Sequence, residues 1–257
     1  MPISGLNPTA PKYATCKCCG SQAALFGVVD FHKNCEEPNG VVLDLSGIAI
    51  YYHRCPRCGF IFTIAFDDLS QEDFARHIYN DEYRRVDPHF AEIRPRANAQ
   101  WVTAQFGASK PSGILDYGAG NGRFAELLRE SGFANVESYD PFTAQHAKRP
   151  EGKFECIFCF EVMEHSPRPA EMLADMASFL AGPGIIIFST TPQPQTIDTE
   201  KVGWWYIAPR NGHISIFSTR SLQILTAAQH LKYGVFKQGF HMACNEVPGF
   251  FSYLIRR

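Results

Sequence analysis

The sequence predicts an α/β protein: a doubly wound, mostly parallel sheet with an antiparallel closing strand, preceded by a small zinc-binding β module. Three observations predict it. From residue 112 onward, short apolar runs alternate with stretches of helical period, the pattern of a parallel sheet covered by helices on both faces. The run Ile114 to Gly122, ILDYGAGNG, puts three glycines at alternate positions where a strand gives way to a helix. Two cysteine pairs of one form, C-x-x-C-G, stand ahead of residue 60.

The cysteine pairs come first in the chain. Cys16 and Cys19 precede Gly20; Cys55 and Cys58 precede Gly59. A C-x-x-C turn brings two thiolates to one ion, and two such turns complete the tetrahedron that zinc prefers. Four protein ligands leave no open position, so the site is expected to be structural. Cys18, Cys35 and His53 are weaker ligand candidates, because only the 16/19 choice reproduces the spacing of the second turn. The segment 40–55, GVVLDLSGIAIYYHRC, alternates enough to be a hairpin feeding that turn. A further C-x-x-C, Cys156 and Cys159, falls in the apolar run FECIFCFEV. Residues three apart on a strand face opposite ways, so these two belong to the core.

Organisation follows from changes of period. Residues 1–68 form the cysteine module and end in the strand-like GFIFTIAF; 69–104 form a helical linker or lid, with Pro95 interrupting its second helix; 105–257 form the main domain. In that domain GILDYG, VESYDP, FECIFCFEV and GIIIFSTTP are strands. RFAELLRESG, RPAEMLADMASFLAG and STRSLQILTAAQHL are helices. GVFKQGFHMAC and GFFSYLIRR are expected to close the sheet as a pair of strands. Residues 192–218 are irregular and rich in Pro, Trp and Gly, which marks a functional segment.

Composition narrows the class of function. The chain of 257 residues carries 24 basic and 26 acidic side chains and no basic run, which weighs against nucleic acid as a partner. No apolar run approaches the roughly 20 residues of a membrane span. No signal peptide is visible, so a cytoplasmic, reducing location is expected, and the nine cysteines read as ligands or buried thiols. The oligomeric state is left unassigned.

The glycine loop carries the chemistry. It fails the dinucleotide pattern G-x-G-x-x-G, whose last place is Arg123, and it lacks the Gly-Lys-Ser/Thr ending of a phosphate loop. What remains is D-x-G-x-G-x-G, with Asp140 ending the next strand 20 residues beyond Gly120, the reach of a carboxylate that accepts a ribose diol.

With these motifs in this order, residues 105–257 resemble the class I S-adenosylmethionine-dependent methyltransferases, which have a Rossmann-like fold. The four-cysteine module ahead of such a domain resembles a subgroup that includes sugar methyltransferases. The resemblance implies S-adenosylmethionine or S-adenosylhomocysteine as ligand. Gly118, Ala119, Gly120 and Asn121 would line it, and Asp116 would hold the loop or the amino group. Asp140 with Pro141 would take the ribose, Phe142 the adenine, and Glu161 would lie near the methionine end. A short polar stretch, 141–153, replaces the family's usual third strand. A small-molecule acceptor, such as a sugar or glycan precursor, is the leading expectation. An RNA or protein methyltransferase gripping its substrate with the zinc module, or a binding protein that keeps the fold, are the alternatives.

If the acceptor is a hydroxyl, a base takes its proton, and His213 in PRNGHIS and His165 in EVMEH are the candidates. Trp204, Trp205 and Tyr206 form either an acceptor platform or a plug pinning the loop, and Arg210 either meets an acidic acceptor or is exposed.

Overall fold

The fold is described from a computed structural model, which describes residues 11–237 and 239–252. The N-terminal module is organised by its two cysteine turns. Gly20 returns its N–H to the Cys16 carbonyl and Gly59 to the Cys55 carbonyl, both at 2.9 Å. The sulfurs of Cys16, Cys19, Cys55 and Cys58 all lie within 4.8 Å of one another, with Cys16–Cys58 at 3.6 Å and Cys19–Cys55 at 3.5 Å. A tetrahedral ion at a metal–sulfur length of about 2.3 Å sets its sulfurs about 3.8 Å apart, so the cage has the size of a metal site. Cys18 Sγ donates to the Ser221 carbonyl (3.3 Å), His53 Nε2 to the Pro11 carbonyl (2.8 Å), and Cys35 Sγ lies 3.5 Å from His213 Nδ1.

Strands β1 (Tyr13–Thr15), β2 (Gln22–Asp30), β3 (Ala49–Arg54) and β4 (Ile61–Thr63) form an antiparallel meander around this cage. The expected hairpin over 40–55 is corrected: β3 pairs with β2, from Asp30 opposite Ala49 to Ala24 opposite Arg54. Residues 40–48 are a loop because the Asp30 carboxylate collects the N–H groups of Ser46 and Gly47 and the Ser46 hydroxyl.

Three helices cross to the second sheet: α1 (Gln71–His77), capped reciprocally by Ser70 and Asp73, α2 (Tyr83–Val86) and α3 (Ile93–Phe106). Pro95 lies in the first turn of α3, where its missing N–H has no intrahelical partner to lose, so it opens the helix instead of interrupting it.

The main domain then alternates: β5 (Ile114–Tyr117), α4 (Arg123–Glu130), β6 (Val136–Tyr139), β7 (Phe154–Phe160), α5 (Pro169–Ser178) and β8 (Leu180–Ser189). After the short α6 (Ile197–Glu200) and β9 (Ser215–Ile216) come α7 (Thr219–Ala228), β10 (Lys232–Lys237) and β11 (Phe240–Glu246). The second sheet has the order β10-β11-β8-β7-β5-β6; β6, β5, β7 and β8 run parallel, and β11 is antiparallel to β8 and β10. Cys156 packs with Ile114 and Phe158 on one face of this sheet, and Cys159 with Leu115 and Ile157 on the other, the opposed placement expected of strand neighbours three apart.

Two further expectations are adjusted. The closing pair lies within 232–246. Gly249–Phe251, expected as strand, is a 3-10 turn that stacks Phe250 and Phe251 against Phe106; residues 253–257 of that stretch lie outside the described residues. Among the described residues, 141–153 hold only the 3-10 turn Ala144–His146, so no strand stands beyond β6.

β9 joins the other sheet. It pairs with β4, Ile61 opposite Ile216 and Phe62 opposite Ser215, and so completes a five-stranded N-terminal sheet with residues from far along the chain. Ser218 Oγ donates to the Cys58 carbonyl, and the Gln193 amide to the carbonyls of Gly59 and Ile216. Among the described residues no helix is long and apolar enough to cross a membrane.

Because the cage anchors both the meander and these cross-links, Cys58→Ser is expected to remove bound metal, read by elemental analysis. It should also lower the melting temperature by about 5 °C or more, as expected for a loss of about 2 kcal/mol in a domain of this size. Unchanged metal content would show that these sulfurs hold none.

Candidate functional site

The site is built on the carboxyl ends of β5 and β6. Where β5 ends, the chain turns through Gly118 (φ +76°) and Gly120 (φ +53°). A Cβ at Gly118 would stand 2.5 Å from a Val162 methyl, whereas one at Gly120 would meet nothing within 4 Å. The first glycine is required by the packing beneath the loop, and the second leaves bare backbone open to whatever lies above.

The loop is held from β6. Gly118 donates its N–H to the Tyr139 carbonyl at 2.8 Å. The Asp140 carboxylate accepts the N–H of Gly120 through one oxygen and of Phe142 through the other, both at 2.8 Å. Each carboxylate oxygen keeps a second acceptor position beyond these bonds.

Asp116 lies under the loop, 5% exposed, and its Oδ2 has no partner among the described residues. Burial, reinforced by the charge of Asp140, lifts its carboxyl to about 7. Glu161 follows β7 at φ +57° and takes a 2.6 Å bond from the Ser189 hydroxyl.

These groups border a cleft of about 840 Å³. All nine residues expected at the cofactor line it: Asp116, Gly118, Ala119, Gly120, Asn121, Asp140, Pro141, Phe142 and Glu161. The linker helices form its other wall, as a lid: Phe74 of α1 meets the exposed Phe142 edge-on at 5.8 Å, and Tyr79, Tyr83, Phe90 and Arg94 follow along the wall. Arg94 is fixed there by a two-pronged pair with Asp87 at 2.8 and 3.1 Å. Sequence reasoning missed these lid residues; the aromatic positions 74, 79, 83 and 90 within one short linker were the available signal.

The two candidate histidines lie together, ring centroids 5.0 Å apart, but only His165 lines the cleft. His213 is buried behind it, with Nδ1 2.9 Å from the Tyr206 carbonyl. Burial holds both imidazoles below their ordinary range. Glu164 is fully buried beside them; burial first, and then the charge of Glu161, raises its carboxyl to about 8.

Trp204 and Tyr206 are buried in the core shared with the N-terminal sheet, so they plug the long loop. Trp205 is half-exposed and stacks edge-on against Tyr206. Arg210 is buried, not exposed, and clamps the end of α1 through the Ile78 carbonyl and the Asn80 side chain.

Comparison with known proteins shows the family. The family described as a methyltransferase domain matches residues 90–232, more than half of the sequence, and the chain belongs to that family. An O-methyltransferase family protein from Burkholderia thailandensis superposes with a TM-score of 0.53 at 13% identity, covering 68% of this chain and 62% of that one. The matched region thus spans less than two thirds of that protein. A 1,6-didemethyltoxoflavin-N1-methyltransferase from the same organism, solved with S-adenosylhomocysteine, gives 0.49 at 17% identity, covering 79% of this chain and 97% of that one. The likeness to the O-methyltransferase family protein, at 13% identity, is one of fold. No curated protein matches.

Asp116 makes a pH prediction. A carboxyl whose pKa folding raises holds its proton more tightly in the folded chain. Its contribution to stability is therefore intact below the unfolded value of about 3.9 and lost as pH rises toward 7. Denaturant titrations of the ligand-free protein are expected to show Asp116→Asn gaining about 1–3 kcal/mol on the wild type between pH 4 and 7. A constant difference across that range would place the Asp116 pKa near its unfolded value.

Proposed function

We propose that the protein is an S-adenosylmethionine-dependent methyltransferase acting on a small-molecule acceptor, a sugar or glycan precursor being the class its N-terminal module favours. The observation that carries the reading is the pairing of a bare, carboxylate-tethered glycine loop with an unpartnered buried carboxylate oxygen in one cleft. The residues fit the cofactor. Asp116 Oδ2 is free to accept its ammonium group, the spare acceptor positions on Asp140 its ribose hydroxyls, and Phe142 offers an exposed ring face to its base. The cleft volume falls in the range of small-molecule sites, roughly 300–1,000 Å³.

When bound, S-adenosylmethionine supplies an electrophilic methyl group on a sulfonium. The chain's own residues hold and align the reactants and keep water out. The glycine loop and Asp140 fix the nucleoside end. The lid, carrying Tyr79, Tyr83 and Phe90 over the opposite wall, gives the acceptor an aromatic surface and sheds water from it. The Arg94–Asp87 pair holds α3 in register with that wall. His165 is the titratable imidazole on the acceptor side; held down by burial, it is neutral at pH 7. The four thiolates fill a tetrahedron, so zinc there would brace the module without taking part in the reaction.

Calorimetric titration with S-adenosylmethionine tests the reading. The wild type is expected to bind one equivalent, and Asp140→Ala at least tenfold more weakly, about 1.4 kcal/mol, because a charge-assisted contact to the diol is lost. Equal affinity would remove the ribose assignment, and no binding by either protein would overturn the proposed activity.

A further inference from the structure

Behind the cleft wall lies a cluster that the cofactor site does not use. Glu164, with no exposure to solvent, accepts the Tyr206 hydroxyl through Oε1 at 2.7 Å, while its Oε2 has no partner among the described residues. His165 Nδ1 is also buried and unpartnered, although its ring borders the cleft. His213 Nδ1 donates to the Tyr206 carbonyl, which leaves the lone pair on Nε2. One ligand atom from each of these three residues lies within 4.8 Å of the other two.

Buried polar groups of a core network are ordinarily paired, yet Glu164 Oε2 and His165 Nδ1 have no hydrogen-bond partner among the described residues, and the two side chains lie in one cluster. Tyr206 orients two members at once, through its hydroxyl on Glu164 and its carbonyl on His213. Outer partners that fix a ligand's rotamer and tautomer are the usual support of a metal centre. One carboxylate and two neutral imidazoles are a donor set for a divalent first-row cation, and three protein ligands leave coordination positions open.

We propose that Glu164, His165 and His213 bind a divalent first-row cation at the back of the cleft, with its open positions toward the acceptor, where it acidifies an acceptor hydroxyl. The catalytic role rests on the methyltransferase reading; the binding does not. In the step, the hydroxyl gives up its proton to solvent. An oxygen lone pair forms the O–CH₃ bond as the S–CH₃ bond breaks, and that bonding pair stays on sulfur. The products are a methyl ether, a thioether and a proton; the cation keeps its oxidation state, and no oxidant or reductant is needed. Acidification by the cation takes the place of a strong base.

The test uses Mn²⁺, which favours oxygen and nitrogen ligands over the four-thiolate cage. The full chain, with that cage loaded with zinc, is titrated with Mn²⁺ and followed by electron paramagnetic resonance, and each protein is separately titrated with S-adenosylmethionine. The wild type is expected to bind one Mn²⁺. Glu164→Gln and His165→Gln are expected to bind it at least tenfold more weakly while retaining S-adenosylmethionine affinity within about twofold. Should Glu164→Gln fail to fold, His165→Gln, at the less buried position, carries the comparison. Absence of saturable Mn²⁺ binding in the wild type, or equal binding in wild type and variants, overturns the proposal. Mn²⁺ binding without S-adenosylmethionine binding would leave the cation site standing and remove the methyltransferase reading; the reverse would remove the cation site alone.

Discussion

The Asp140 carboxylate is the contact on which the site depends. By taking the amides of Gly120 and Phe142 it ties the turn after β5 to the turn after β6, and both strand ends then open on one cleft. An open α/β sheet leaves such a crevice at the carboxyl ends of its strands where the strand order reverses, and here the order reverses at β5. What the carboxylate adds is a fixed distance between the bare backbone on one side and the acceptor oxygens on the other. Its negative charge also reaches Asp116, and with burial keeps that carboxyl partly protonated near neutral pH in the ligand-free chain. A cationic group entering beside Asp116 would reverse that balance, so binding there couples to proton release.

The N-terminal module is part of the same construction. β9 belongs by sequence to the main domain and by hydrogen bonding to the cysteine sheet. The core between them gathers Tyr52, Ile61 and Phe66 from the module, Phe74 and Ile78 from the lid, and Trp204, Tyr206 and Ile214 from the long loop. Tyr52 donates its hydroxyl to the His213 carbonyl at 2.7 Å, so the loop bearing that histidine is held from the module side. The thiolate cage therefore braces more than its own two turns: through Ser218 on the Cys58 carbonyl it is continuous with the start of α7 and with the segment that carries Ser215 and His213. A metal held there would stiffen the rear wall of the cleft from a distance, without touching a reactant.

Much of this was legible before any coordinates. The periods of RFAELLRESG and RPAEMLADMASFLAG mark α4 and α5, because an amphipathic helix writes its buried face into the sequence. Cys156 and Cys159 could be set aside as core because strand alternation sends them to opposite sheet faces, where they lie. The expectations that failed share one cause. Residues 40–48 alternate like a strand, but Asp30 holds them as a loop; Gly249–Phe251 open a stretch with a strand's composition, but Phe250 and Phe251 are drawn into the aromatic cluster around Phe106. Arg210 looked like a surface cation because nothing local revealed the carbonyl of Ile78, 132 residues away, that accepts from it. In each case a partner remote in sequence outweighed local pattern.

By itself the sequence determined the α/β class, the two cysteine turns, the glycine loop and the carboxylate 20 residues beyond it, because each is a short-range pattern whose spacing carries its own geometry. Only the tertiary structure decided that α1 to α3 roof the cleft, that β9 crosses to the other sheet, and that Glu164, His165 and His213 converge. Those facts depend on contacts between segments separated by tens to more than a hundred residues. Such contacts are set by burial and by satisfaction of polar groups across the whole chain, and no local window of sequence records them.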